Sequence, residues 1–208
     1  MATTTPNYGW PVPTSTDYVK DGATAIEALG DAIDATVFGL GQGLKLINTT
    51  TIGTTVSSIV FNNVFTTTYQ NYLVLLNTNS STFTSTGTLS FRLRKAGTSN
   101  SATEYRSNGY ISVSASLSND SKTATSQAFA RTNTSGGSIF SRLEFFAPQT
   151  NIKTGYKYDN AGFDGTPQQV GESANGFHNV VDTFDGFEII LSAGTMTGGT
   201  VRVYGYGS

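Results

Sequence analysis

The sequence predicts a mainly-β protein, a jelly-roll-like antiparallel β-sandwich preceded by an extended arm and one short helix. Three observations carry this. A period of two recurs after about Asn48, a period of seven is confined to the stretch before it, and prolines punctuate the first fifteen residues. The chain has 208 residues and a mass of 22.0 kDa, room for one domain with an appended segment. Only 12% of residues are charged, about half the usual share, and roughly a quarter are Ser or Thr, so the surface is built from hydroxyls and amides. A net charge of -2 provides no basic field for phosphates, which excludes nucleic acid as the main partner. A hydrophobic fraction of 37% is too rich for disorder.

The first element is the arm. In Tyr8-Gly9-Trp10-Pro11-Val12-Pro13 each proline removes a donor and biases its predecessor away from helix. A helical pattern follows from about Thr16 to Leu40, with Ser15 or Thr16 expected as N-cap and an acidic excess (Asp17, Asp21, Glu27, Asp31, Asp34). Val19, Ile26, Ile33 and Leu40 recur every seven residues and Leu29 lies three beyond Ile26, the a and d places of a seam. Gly22 and Gly30 weaken the helix in isolation. One reading is an amphipathic helix packed on its own domain. The other is self-association, favoured because Gly39-Leu40-Gly41-Gln42-Gly43 follows as a flexible joint, and Ile at a places suits three strands at least as well as two.

The remaining elements are strands. In Thr88-Leu89-Ser90-Phe91-Arg92-Leu93-Arg94 the apolar residues share one face, and 110–118 repeats the pattern. Further strands are expected over 55–62, 69–77, 125–133, 138–147, 184–192 and 199–206, about eight in all, with turns at 118–120, 135–137 and 197–199. One-sided strands without intervening helices bury their faces in two stacked sheets or a barrel. Tyr72 to Leu76 is apolar on both faces, for which a subunit contact is one cover. Between Pro148 and Asp182 the pattern dissolves into Gly, Asn, Gln, Asp and Tyr, either a functional loop or an unrecognised strand pair.

Enzyme chemistry finds no motif here. There is no cysteine, and the single histidine, His178, is too little for a multi-histidine metal site and has no Gly-x-Ser-x-Gly elbow beside it. Asp159 with Asp164 and Asp182 with Asp185 are acid pairs of the kind a glycosidase uses, but turn aspartates more often cap loops. No cofactor, metal or catalytic residue is expected. The first residues carry no secretory signal pattern, and the longest apolar runs fall far short of the roughly 20 residues of a membrane span, so cytosolic synthesis without membrane insertion is expected.

The stretch Asn7-Tyr8-Gly9-Trp10-Pro11-Val12-Pro13-Thr14-Ser15-Thr16-Asp17-Tyr18-Val19-Lys20-Asp21-Gly22-Ala23, continuing through Ile26-Glu27-Ala28-Leu29-Gly30-Asp31-Ala32-Ile33-Asp34, resembles the N-terminal attachment segment of tailed-bacteriophage appendage proteins: tail fibres, minor tail proteins and virion structural proteins. The ending Thr197-Gly198-Gly199-Thr200-Val201-Arg202-Val203-Tyr204-Gly205-Tyr206 resembles the last strand of β-sandwich tips in similar phage proteins. The resemblance implies a homotrimer exposed on the virion. Residues 1–15 would be an extended docking arm that meets other virion proteins through Tyr8, Trp10, Pro11 and Pro13. Residues 16–48 would be the trimerisation stem, closed by Val19, Ile26, Leu29, Ile33, Val37 and Leu40, with the Gly-rich joint, and residues 49–208 the outward head.

The expected function is a short homotrimeric fibre or spike whose head recognises a host-surface glycan or protein. Tyr156, Tyr158, Asn160, Phe163 and Asp164 form the candidate receptor loop, since aromatic faces stack on sugars while amides and carboxylates bond their hydroxyls. The alternative for each is an ordinary turn residue or packed aromatic. Competing functions are a passive cement protein that decorates the capsid or tail, and a carbohydrate-active depolymerase, which requires two acids converging in a cleft.

Overall fold

The computed structural model describes residues 3–16, 18–40, 43–78, 82–114, 116–134, 138–163 and 169–207, with the backbone alone for 38–40 and 163. It is mainly β with one helix, and divides into two compact units, Met1–Lys45 with Gly207–Ser208, and Leu46–Tyr206.

In the first unit the proline-rich segment folds back on itself, which corrects the expectation of a plain extended arm. Strands β1 (Thr3–Thr4) and β2 (Pro11–Val12) pair antiparallel. The Thr5 N–H donates to the Trp10 carbonyl at 2.9 Å, and Gly9, at φ +66°, turns the chain between them. Trp10 stacks on Tyr8 at 5.3 Å, and its indole N–H donates to Thr36 Oγ1 at 2.8 Å. Thr36 lies on the helix α1 (Gly22–Leu40), which a 3-10 turn at Val19–Asp21 precedes. Neither Ser15 nor Thr16 caps it: the residue before the 3-10 turn is Tyr18, which makes no side-chain cap bond. Gly39 and Leu40 close the helix instead of starting a joint, while residues 41 and 42 lie outside the described residues.

The strands that follow are β3 (Leu44–Thr51), which crosses the unit boundary, β4 (Ser58–Phe61), β5 (Asn71–Asn77), β6 (Thr82–Phe83), β7 (Gly87–Lys95) and β8 (Thr98–Ser99). Next come β9 (Tyr105–Val113), β10 (Ser116–Ala124), β11 (Gln127–Thr132) and β12 (Ile139–Phe146). The chain ends with β13 (Ile152–Phe163), β14 (Gln169–Asp182), β15 (Gly186–Leu191), β16 (Met196–Thr197) and β17 (Thr200–Tyr206). Eight of them form a curled antiparallel sheet, an open half-barrel in the order β10-β9-β14-β13-β12-β5-β17-β3. A smaller sheet runs β11-β7-β15-β4, with β8 paired to β7.

Of the two readings of 148–182, a functional loop or an unrecognised strand pair, the described residues bear out the second: they hold β13 and β14, the two longest strands, whose Gly, Asn and Ser residues hide the alternation that Tyr156, Tyr158, Val170 and Ala174 maintain inward. One expectation fails for a physical reason. The strand expected over 110–118 is a hairpin. Ser114, at φ +52°, turns the chain so that Ser116 pairs with Val113. Leu117 therefore pairs with Ser112 on the outward face and is 69% exposed, although unbroken alternation would bury it. Ser118, Asn119 and Asp120, expected as a turn, are therefore strand residues of β10.

Both sheets contribute to one core. Leu89, Phe91 and Leu93 from β7, Phe187 and Ile189 from β15 and Phe129 from β11 meet Tyr72, Val74, Leu143, Phe145, Tyr156 and Val203 of the large sheet. Phe91 is the joint, with edge-to-face rings at 5.0 Å from Phe145, 5.1 Å from Tyr156 and 6.0 Å from Tyr105. Its truncation, Phe91→Ala, is expected to cost about 3–5 kcal/mol in urea unfolding, whereas Val60→Ala on the exposed side of β4 costs about 0.5 kcal/mol or less. The β7–β8 turn holds Ala96 at φ +49° and Gly97 at φ +77°, the pattern that favours Asn-Gly. Ala96→Asn should therefore raise stability by up to about 1 kcal/mol, read from the same urea midpoint.

Candidate functional site

The residues expected in a receptor loop do not come together at a surface. Tyr156 and Tyr158 point inward from β13 and are almost fully buried. Gln127 ties them together. The Tyr156 hydroxyl lies 3.1 Å from both the Arg106 carbonyl and Gln127 Oε1, and Gln127 Nε2 donates to the Ala128 carbonyl at 2.9 Å and to the Tyr158 oxygen at 3.3 Å. Burial raises the pKa of both phenols above the ordinary range, so they remain protonated donors. These two tyrosines are packed, hydrogen-bonded core groups with no face free for a sugar. Asn160 is buried too and accepts from Ser141 Oγ at 2.9 Å. Phe163 ends β13 with its side chain outside the described residues, as is all of Asp164.

At this end of the core a polar layer extends to the surface. Asp120, Gly109, Ala174 and Tyr158 lie side by side across four strands, and the two small residues let the Asp120 carboxylate reach the Tyr158 hydroxyl. A Cβ on Gly109 would stand 2.4 Å from that of Ala174, so only glycine fits there. Beyond them a cavity of about 390 Å3 is lined by Asp120, Lys122, Arg131, Glu172 and Ile111. Glu172 is buried, and burial raises its pKa against the pull of Lys122 and Arg131; Arg131 Nε donates to it at 3.2 Å. Lys122 pairs with Asp120. The two acids share the cavity, yet each already holds a cation, an arrangement that neutralises charge.

The acid pairs singled out in the sequence are engaged elsewhere. Asp159 faces outward, where burial disfavours its charge but hydrogen bonds from Ser173 at 2.7 Å and from Lys157, with the charges of Lys157 and Arg142, hold it below the usual carboxylate range. Asp182 pairs with Lys95, and Asp185 Oδ2 accepts the Ala96 N–H at 2.7 Å.

The outward face of the large sheet carries an exposed aromatic, an amide and a carboxylate beside two arginines. Arg202 on β17, Leu75 on β5, Arg142 on β12 and Asp159 on β13 form one cross-strand row. The next row runs Asn77, Phe140, Ala161. Together they line a shallow cavity of about 440 Å3. Phe140 is 47% exposed, and the smaller Ala161 opens space beside it. Arg142 pairs with Glu144, which also accepts from the Tyr206 hydroxyl at 3.3 Å. The exposed Arg202 guanidinium has no hydrogen-bond or ion-pair partner among the described residues. The signal in the sequence was parity: Phe140 and Phe146 stand on the outward positions of β12, where alternation calls for polar residues.

In the first unit the residues expected to form a stem separate into two groups. Leu29 is half-buried on the stripe Ala25, Leu29, Ala32, Thr36 that faces the hairpin, and Ile33 is half-buried beside it. Ile26 and Val37, which share the neighbouring line with Ile33, are 65% and 58% exposed, and Val19 in the 3-10 turn is 98% exposed. The Leu40 side chain lies outside the described residues. Of the residues expected to dock, Tyr8 is exposed, while Trp10, Pro11 and Pro13 are half-buried.

Among the described residues no group of three or more His, Asp or Glu side chains is arranged to hold a metal ion, and no helix is long and apolar enough to cross a membrane. His178 is fully buried, edge-on to Tyr105 at 4.9 Å and to Phe184 at 5.0 Å, with no hydrogen-bond partner for either ring nitrogen. Burial depresses its pKa, against the weaker opposing pull of the Val180 backbone and of Glu104 and Asp182. The unfolded chain therefore binds a proton that the folded chain refuses, and stability is lost as pH falls below about 6.5. Urea midpoints should drop between pH 7 and pH 5, and His178→Phe should flatten that drop. No protein-family model matches the chain, and neither the curated proteins nor the solved structures contain a match to it.

Proposed function

We propose that this chain is a structural subunit of a phage virion, a short homotrimeric fibre or spike. Its N-terminal unit joins three copies and attaches them to the particle, and its head, a jelly-roll-like sandwich, recognises the host surface. The observation that carries this reading is the uncovered ridge of Val19, Ile26 and Val37 beside a stripe that the hairpin covers. No residue of the 3-10 turn is buried, and a 19-residue helix interrupted by Gly30 is marginal alone. Full burial of a Val or Ile side chain contributes about 1.5–3 kcal/mol, so three copies closing on one another would stabilise each stem by several such increments. The likeness of residues 7–34 to phage attachment segments supports the same assignment, and the exposed Tyr8 suits contact with another virion protein. The aromatic and cationic outward face of the head supports recognition over passive decoration.

In light scattering the full chain should have a mass near three times 22.0 kDa. Ile26→Asp combined with Val37→Asp should give monomers with an unchanged β-type circular dichroism spectrum. A wild-type monomer at micromolar concentration would overturn the trimer. An antibody against the head should decorate intact particles of the phage that encodes the chain, and label found only in particle-free fractions would overturn the virion assignment.

A further inference from the structure

We infer that the outward cavity of the large sheet binds a carboxylate-bearing sugar, with Arg202 and Arg142 holding the carboxylate and Phe140 with Leu75 supporting the ring. This rests on the recognition reading above and names its ligand class.

The argument begins with register. Arg202 and Arg142 flank Leu75 on three adjacent strands, which places their backbones roughly 9–10 Å apart. Two long guanidinium side chains at that separation can converge above the leucine. Arg142 is anchored by Glu144, so it is positioned while remaining half exposed. Arg202 has no carboxylate partner among the described residues, whereas its row neighbour Arg142 and six other Lys or Arg side chains each pair with one. A planar carboxylate is the partner that guanidinium geometry fits best.

The surroundings choose among anions. Phe140, about half exposed, offers a flat apolar face suited to the C–H face of a pyranose, and Ala161 beside it leaves room for the ring. Asp159 closes the row as an acceptor for sugar hydroxyls. The same ionised carboxylate repels a dense polyanion such as a nucleic acid backbone, in keeping with the net charge of -2. A single negative charge on a hydroxylated ring satisfies every group in the row.

The test is calorimetric titration of the full chain with a hyaluronan tetrasaccharide, trigalacturonate and an α2,8-linked sialic acid tetramer, against chitotetraose as the neutral counterpart. At least one acidic probe should bind, at least tenfold tighter than chitotetraose and more weakly as salt rises. Arg202→Gln should weaken that binding at least tenfold, and Phe140→Ala should weaken it as well, both with unchanged circular dichroism. No binding of any acidic probe overturns the proposal. Equal affinity for chitotetraose, or indifference to Arg202→Gln, overturns it too. A particle-bound trimer that ignores all probes sinks this inference alone, whereas a monomer that binds them through Arg202 sinks the trimeric-appendage reading and leaves the sugar site standing.

Discussion

The contact of Phe91 with Phe145, Tyr156 and Tyr105 is the constraint on which the larger unit depends. It ties the central strand β7 of the small sheet to three strands of the large one, so neither layer can shift without opening an aromatic cluster. Because the large sheet is held from its inner side, its outer side is free to carry charged and aromatic groups that packing does not require. The row Arg202, Leu75, Arg142, Asp159 has its spacing from strand pairing alone. A loop would have to order itself before presenting such a row; a sheet presents it already ordered.

Strand existence was legible wherever one side of a strand was apolar and the other was not. Residues 87–95, 139–146 and 200–206 lie within one residue of the expected bounds, since alternation there runs unbroken, and 71–77, a run apolar on both faces, lies within two. It was illegible where inward positions are filled by small or polar groups. In β14 the inward side carries Val170, Glu172, Ala174 and Gly176, in which only the valine resembles a core residue. Tyr156 and Tyr158 misled for a related reason: tyrosine suits both a ligand face and a core with a polar lining, and the partner that decides between them, Gln127, lies about thirty positions away in the chain.

The helix shows the same limit from the other side. The period of seven marks an apolar arc, but periodicity alone does not tell which part of the arc a neighbouring segment of the same chain will take. The hairpin at Trp10 takes the line of Leu29 and leaves that of Ile26 and Val37 open. Trp10 and Thr36 are 26 residues apart, a pairing with no local signature. The proline-rich segment is therefore part of the helix's own packing, and of its aromatic side chains Tyr8 is the one left exposed.

Strand β10 bears on a different matter. As the last strand of an open sheet it has a free row of amides and carbonyls, the kind of border along which copies fuse into fibrils. Two of its residues, Asp120 and Lys122, turn charge inward, and most of the others are hydroxyls or amides. A stranger pairing there would have to accommodate those inward charges. Inward charge on a border strand disfavours edge-to-edge pairing between copies.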